Sequence, residues 1–166
     1  MFPDPILALA AAVLDLARRR GLRIGTAESC TGGLVAGALT EIAGSSDVVE
    51  GGMVTYANAL KTRLAGVPPA QLAEHGAVSE AVARAMAEGA LRTLDVDLAV
   101  AITGVAGPGG GSADKPVGLV HFATARRGGP TLAVAERFGD IGRGPVRLAS
   151  VETALRLLKA RLSDDR

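Results

Sequence analysis

Aromatic side chains are nearly absent from this 166-residue chain: no tryptophan, one tyrosine and three phenylalanines, 2% of the total. Stacked rings, the usual device of single-stranded nucleic-acid binders, are therefore almost ruled out. A charge field is missing too. Lys and Arg number 18 against 17 acidic residues, a net charge of +1, so neither nucleic acid nor an anionic membrane surface is an expected partner. A single cysteine, Cys30, forbids an intrachain disulfide and any cysteine-based zinc site. The two histidines, His75 and His121, show no ligand spacing, and no metal or cofactor is expected. No Lys or Arg precedes the first apolar stretch, the wrong charge order for a secretory signal. The longest uncharged run, Leu98 to Ala113, holds five glycines and a proline and is too short to span a bilayer. A cytoplasmic protein is the expectation.

What is present is small and aliphatic. Hydrophobic residues make up 48%, with 31 Ala and 22 Gly. The length suits one domain over residues 1–166, large enough to bury a core without staples. Lysine is scarce, 3 against 15 Arg. Each of Lys61, Lys115 and Lys159 therefore draws attention, because a lysine can lose its proton when its pKa is lowered and an arginine cannot.

Apolar residues at Ile6, Leu7, Ala10, Val13, Leu14 and Ala17 predict a helix over Ile6 to Arg20, stopped by Gly21. Strands are expected over Leu22 to Ala27, Val48 to Tyr56 and Asp97 to Thr103. Helices are expected over Leu34 to Ile42, Ala57 to Leu64, a short stretch begun by Pro68, and an Ala-rich stretch capped by Ser79. Val117 to Arg126 and Thr131 to Phe138, joined by Gly128-Gly129-Pro130, read as a hairpin closing the sheet edge, before a last helix over Pro145 to Arg161. This alternation predicts an α/β fold: a mixed sheet flanked by helices in α/β/α layers. Ligands in such sheets bind at strand ends, here Ser29, Tyr56 and Thr103.

Four segments carry chemistry. Thr26-Ala27-Glu28-Ser29-Cys30-Thr31-Gly32-Gly33 ends a strand, clusters hydroxyls and opens a helix. Its amides, from Cys30 to Gly33, could hold a phosphate or an oxyanion, or Ser29 could simply cap the helix. It is neither a P-loop nor a Gly-x-Ser-x-Gly elbow. Tyr56-Ala57-Asn58-Ala59-Leu60-Lys61 offers a lysine that, once desolvated, takes a proton from a serine, and a tyrosine that could relay it. Thr103-Gly104-Val105-Ala106-Gly107-Pro108-Gly109-Gly110 and Lys115 make an open loop suited to a phosphate. Arg143 or Arg147, at the last helix, could clamp an anion. A Ser-His-Asp triad through either histidine has no support in the sequence.

Together these segments, with Glu74-His75-Gly76-Ala77-Val78-Ser79-Glu80 and Lys115-Pro116-Val117-Gly118, resemble the C-terminal domain of the CinA (competence/damage-inducible) proteins, found alone as nicotinamide mononucleotide deamidases. The likeness runs from about Arg20 to Leu158. It implies hydrolysis of the mononucleotide's carboxamide to nicotinate mononucleotide and ammonia. It also implies a nucleophile at Ser29 supported by Lys61 and Tyr56. Asn58, Thr103, Gly104, Gly107, Gly110, Lys115 and Arg143 would contact substrate with Cys30, Thr31, Gly32 and Gly33. The family's Gly-Asp-Arg before the last helix is here Gly139-Asp140-Ile141-Gly142-Arg143, with Arg143 in place by its spacing to Val146-Arg147. The sequence leaves room for a homo-oligomer. Two rivals stand beside this reading: Cys30 as a thiol nucleophile, and a module that binds nucleotides without catalysis. A DNA-linked competence factor ranks last, against the charge and the missing aromatics.

Overall fold

The computed structural model describes residues 1–164. Five strands, β1 (Ile24–Glu28), β2 (Val49–Val54), β3 (Leu98–Gly104), β4 (Leu119–Arg126) and β5 (Leu132–Arg137), form one sheet in the order β2-β1-β3-β4-β5. The first three are parallel, and β4 and β5 turn back antiparallel. One face is covered by α1 (Asp4–Arg20), α2 (Leu34–Thr40) and α6 (Arg143–Ser163), the other by α3 (Asn58–Ala65), α4 (Pro69–His75) and α5 (Glu80–Thr93). This is the three-layer mixed-sheet architecture that the alternation predicts. No described helix is long and apolar enough to cross a membrane.

Strand periodicity divides the core. In β3, Val100 and Ile102 point to the α1/α2/α6 face, and Ala99 and Ala101 to the α5 face. The second face is paved with Ala27, Ala99, Ala101, Ala123 and Ala125, all buried, and α5 lies close against them. Gly89 of α5 continues the theme. A Cβ there would stand 1.6 Å from the carbonyl oxygen of Ala65, so only glycine lets α5 pack on the end of α3. That contact fixes the helix that carries Lys61.

The boundaries differ from the sequence reading by one or two residues, at strand ends as often as at helix ends. α1 and α6 each begin two residues early. Pro68 is the residue before α4, and Pro69 takes the first helical position. Strand β2 stops at Val54, leaving Tyr56 in the connection to α3. Ser79 caps α5 as expected, its hydroxyl accepting the amide of Val82.

Candidate active site

Strand β1 carries a charge into the interior. Glu28 is fully buried and accepts the amides of Gly33, Val35 and Ala36 at 2.8–3.0 Å, and the hydroxyl of Thr26 at 3.2 Å. These donors are the open end of α2, so the carboxylate is stabilised where a helix presents free N–H groups. Gly32 (φ 60°) and Gly33 (φ 97°) turn the chain between strand and helix in a conformation that favours glycine. The amide of Ser29 bonds the carbonyl of Ile102 at 2.9 Å, extending the ladder one residue past the strand. Consecutive side chains then go to opposite sides. Ser29 faces the α3/α5 layer, and Cys30 joins the core under α1 and α6.

Lys61 meets Ser29 there. Its Nζ lies 3.1 Å from Ser29 Oγ, 2.8 Å from the carbonyl oxygen of Thr55 and 3.3 Å from that of Tyr56. Lys61 is 1% exposed and Ser29 9%. Among the described residues no carboxylate makes an ion pair with Lys61. Burial without a counter-charge pushes its pKa below the usual lysine value of 10.5. The two carbonyls and the hydroxyl oxygen can accept all three N–H groups of the charged form; when the amine is neutral, two N–H groups serve the carbonyls and the lone pair can take the hydroxyl proton. Burial pushes the Cys30 thiol the other way, up to about 11, with Glu28 adding to the rise and the amides of Cys30 and Thr31 and the cation of Arg147 opposing it.

The other sequence-predicted residues fall in different places. Arg143 gathers two loops: its guanidinium donates to the carbonyl of Gly107 at 2.9 Å and to the Tyr56 hydroxyl at 3.0 Å. Tyr56 thus offers Lys61 its main-chain oxygen, while its phenol turns outward to Arg143. Thr103 is buried and donates to the carbonyl of Ala77 at 2.8 Å, and Gly104 sits where β3 presses against Leu119 and Val120. Asn58 opens α3 and is exposed, as is Gly110 in the glycine loop. Lys115 is not at the Ser29–Lys61 centre. It lines a neighbouring cavity, where its Nζ donates to the carbonyl of His75. Of the turn amides, those of Gly33 and Gly32 are engaged, by Glu28 and by the Ser29 carbonyl. That leaves the amides of Cys30 and Thr31 without a main-chain partner, although both act on the Cys30 thiol.

Sequence reasoning passed over Glu28 as a site residue, although one acid inside an apolar strand was the available signal. It offered Arg147 as an alternative to Arg143 for clamping an anion, whereas the structure turns it to the main chain. That guanidinium donates to the carbonyls of Cys30 and Thr31 at 3.1 and 3.0 Å, bracing the turn from outside.

The CinA C-terminal domain matches residues 6–162. A CinA-like protein of Parasynechococcus marenigrum is 51% identical over 156 residues, covering 93% of this chain and 37% of that protein. A CinA-like protein of Mycobacterium leprae is 54% identical over 145 residues, 87% of this chain and 34% of its own. The chain thus spans little more than a third of these curated relatives. In solved structures, the competence/damage inducible protein CihA from Agrobacterium tumefaciens superposes with a TM-score of 0.96 at 54% identity, covering 99% of both chains. A competence-damaged protein (CinA) superfamily protein from Escherichia coli gives 0.89 at 34% identity over 96% of this chain and 94% of that one.

Proposed function

We propose that this chain, which belongs to the CinA C-terminal domain family, is a cytoplasmic serine amidohydrolase acting as one domain on the carboxamide of nicotinamide mononucleotide. One observation carries the reading: a buried lysine amine without a carboxylate partner, 3.1 Å from a serine hydroxyl at a strand end. Lys61, neutral in its pocket, takes the Ser29 proton as Oγ attacks the amide carbon. The amides of Cys30 and Thr31 meet the oxyanion, braced by Arg147 on their carbonyls. Lys61 returns the proton to the departing ammonia, and water, deprotonated in turn by Lys61, releases the acid from Ser29. Tyr56 and Arg143, joined at the mouth, orient the substrate with Asn58 and the Thr103–Gly110 loop.

The same geometry argues against a thiol nucleophile. Cys30 faces the opposite side of the chain, and its thiol keeps its proton at neutral pH. The test is ammonia release from nicotinamide mononucleotide and from nicotinamide by wild type, Ser29→Ala and Cys30→Ala. The expected result is turnover of the mononucleotide by wild type and Cys30→Ala alone. Full turnover by a folded Ser29→Ala would refute the assignment. Binding of the mononucleotide by wild type with no ammonia released would leave a non-catalytic nucleotide module.

A further inference from the structure

We propose that the open cavity beside the Ser29–Lys61 centre is the subsite for the phosphate monoester of the substrate, with His121 and Arg137 as its donors alongside Lys115. This rests on the mononucleotide reading above and adds where the far end of that substrate lies.

The cavity has a volume of about 540 Å³, within the range of small-ligand sites. Strand register fixes its place. Ser29 stands level with Thr103, because Glu28 pairs with Ile102 and the ladder continues one bond further. Thr103 pairs with His121 across β3 and β4, and His121 pairs with Ala135 of β5. Ser29, Thr103 and His121 therefore share one row on the α3/α5 face. The nucleophile is two strand spacings, about 10 Å, from the imidazole's strand. That is comparable to the reach of an extended mononucleotide from its amide carbon to its phosphorus. Arg137 pairs with Leu119 and so lies diagonally across from His121 on the same face.

Lys115 already donates to the His75 carbonyl, but the other two donors are free to bind. Among the described residues, neither the His121 ring nor the Arg137 guanidinium makes a hydrogen bond or ion pair. Three acids also border the cavity; two have partners of their own, although Glu80 still acts on the His121 ring. Glu80 pairs with Arg84 at 2.8 Å and Glu74 with His75 at 3.7 Å, their side chains 59% and 74% exposed; Asp114 lies on the exposed loop. The first turn of the 14-residue α5 opens on the same space through Ser79 and Glu80, adding the positive end of its dipole. Burial and the cations Lys115 and Arg137 hold His121 below its ordinary pKa against the pull of Glu80. An arriving phosphate reverses that balance.

The experiment compares nicotinamide mononucleotide with nicotinamide riboside, which lacks the phosphate. In Arg137→Gln and in His121→Gln, the ratio of kcat/KM for mononucleotide to that for riboside is expected to fall about tenfold, the loss of one charge-assisted or neutral donor. Arg137→Lys should recover part of it. An unchanged ratio in both variants overturns the proposal. Independently of turnover, ribose 5-phosphate is titrated into wild type while the two imidazoles are followed by NMR. The His121 resonance should shift saturably and its pKa rise, with weaker binding in Arg137→Gln; no shift at His121 overturns the subsite. Ribose 5-phosphate binding at His121 without any ammonia release would remove the amidohydrolase reading and leave the anion site. Ammonia release with an unchanged ratio would do the reverse.

Discussion

The Ser29–Lys61 centre and the neighbouring cavity occupy one row of the sheet, yet they are built on opposite principles. The centre is closed. Lys61 is almost inaccessible, touches main-chain carbonyls and one hydroxyl, and has no carboxylate to hold its proton. The cavity is open and crowded with charges of both signs. An amine must be dry to be a base near neutral pH, and a phosphate needs cations that are not already paired. One pocket cannot easily meet both demands, and the fold separates them by the width of Thr103.

The sharpest way to break that contrast is to remove the amine. Lys61→Met should lower kcat by about 10²–10⁴-fold, the range of a lost general base. Its pH behaviour checks the reason. With the Lys61 pKa depressed by burial, wild-type activity should rise with pH on a limb set below 10.5. Native stability should also rise with pH between the depressed value and 10.5, because there the unfolded chain binds the proton that the folded chain has shed. Both Lys61 contributions should be lost in Lys61→Met, as read by ammonia release and urea midpoints, leaving in the stability curve the opposite fall between about 9 and 11 that the raised Cys30 pKa gives.

The next effect tests the support of the centre. Gly89→Ala drives a methyl into the Ala65 carbonyl at the end of α3. It should destabilise the protein by about 1–3 kcal/mol in urea unfolding and reduce turnover, since α3 must shift and takes Lys61 with it. At the mouth, Tyr56→Phe removes one of the two bonds that hold Arg143, and Arg143→Met removes both. The arginine variant should raise KM more, and a tyrosine variant as slow as Lys61→Met would mean the phenol itself moves a proton. The smallest effect is expected from Cys30→Ala, which trims a buried thiol on the far side of the chain. It should lower stability by about 1 kcal/mol and leave turnover near wild type.

The layers and the closing hairpin were legible in the sequence because apolar spacing reports burial directly, whereas the strand order was not read from it. Ile6, Ala10, Val13, Leu14 and Ala17 form the buried stripe of α1 as their spacing predicts. The loop glycines marked the strand ends where side chains gather. What could not be read was the direction of a side chain once regular structure stops. Tyr56 looked like a relay because it lies five residues before Lys61, yet only its backbone meets the amine. Lys115 looked like part of one site with Ser29, but the loop between β3 and β4 carries it to the adjoining cavity. Glu28 stayed hidden because a buried carboxylate is credible only once the amides of α2 are seen around it.

The opposed directions of Ser29 and Cys30 have a chemical corollary. Peroxide attacks thiolates, and the only sulfur next to the reactive oxygen is sealed in the interior with its proton held to about pH 11. If the proposed serine chemistry holds, oxidants that silence thiol amidases should leave turnover unchanged, because the thiol beside Ser29 is buried and protonated.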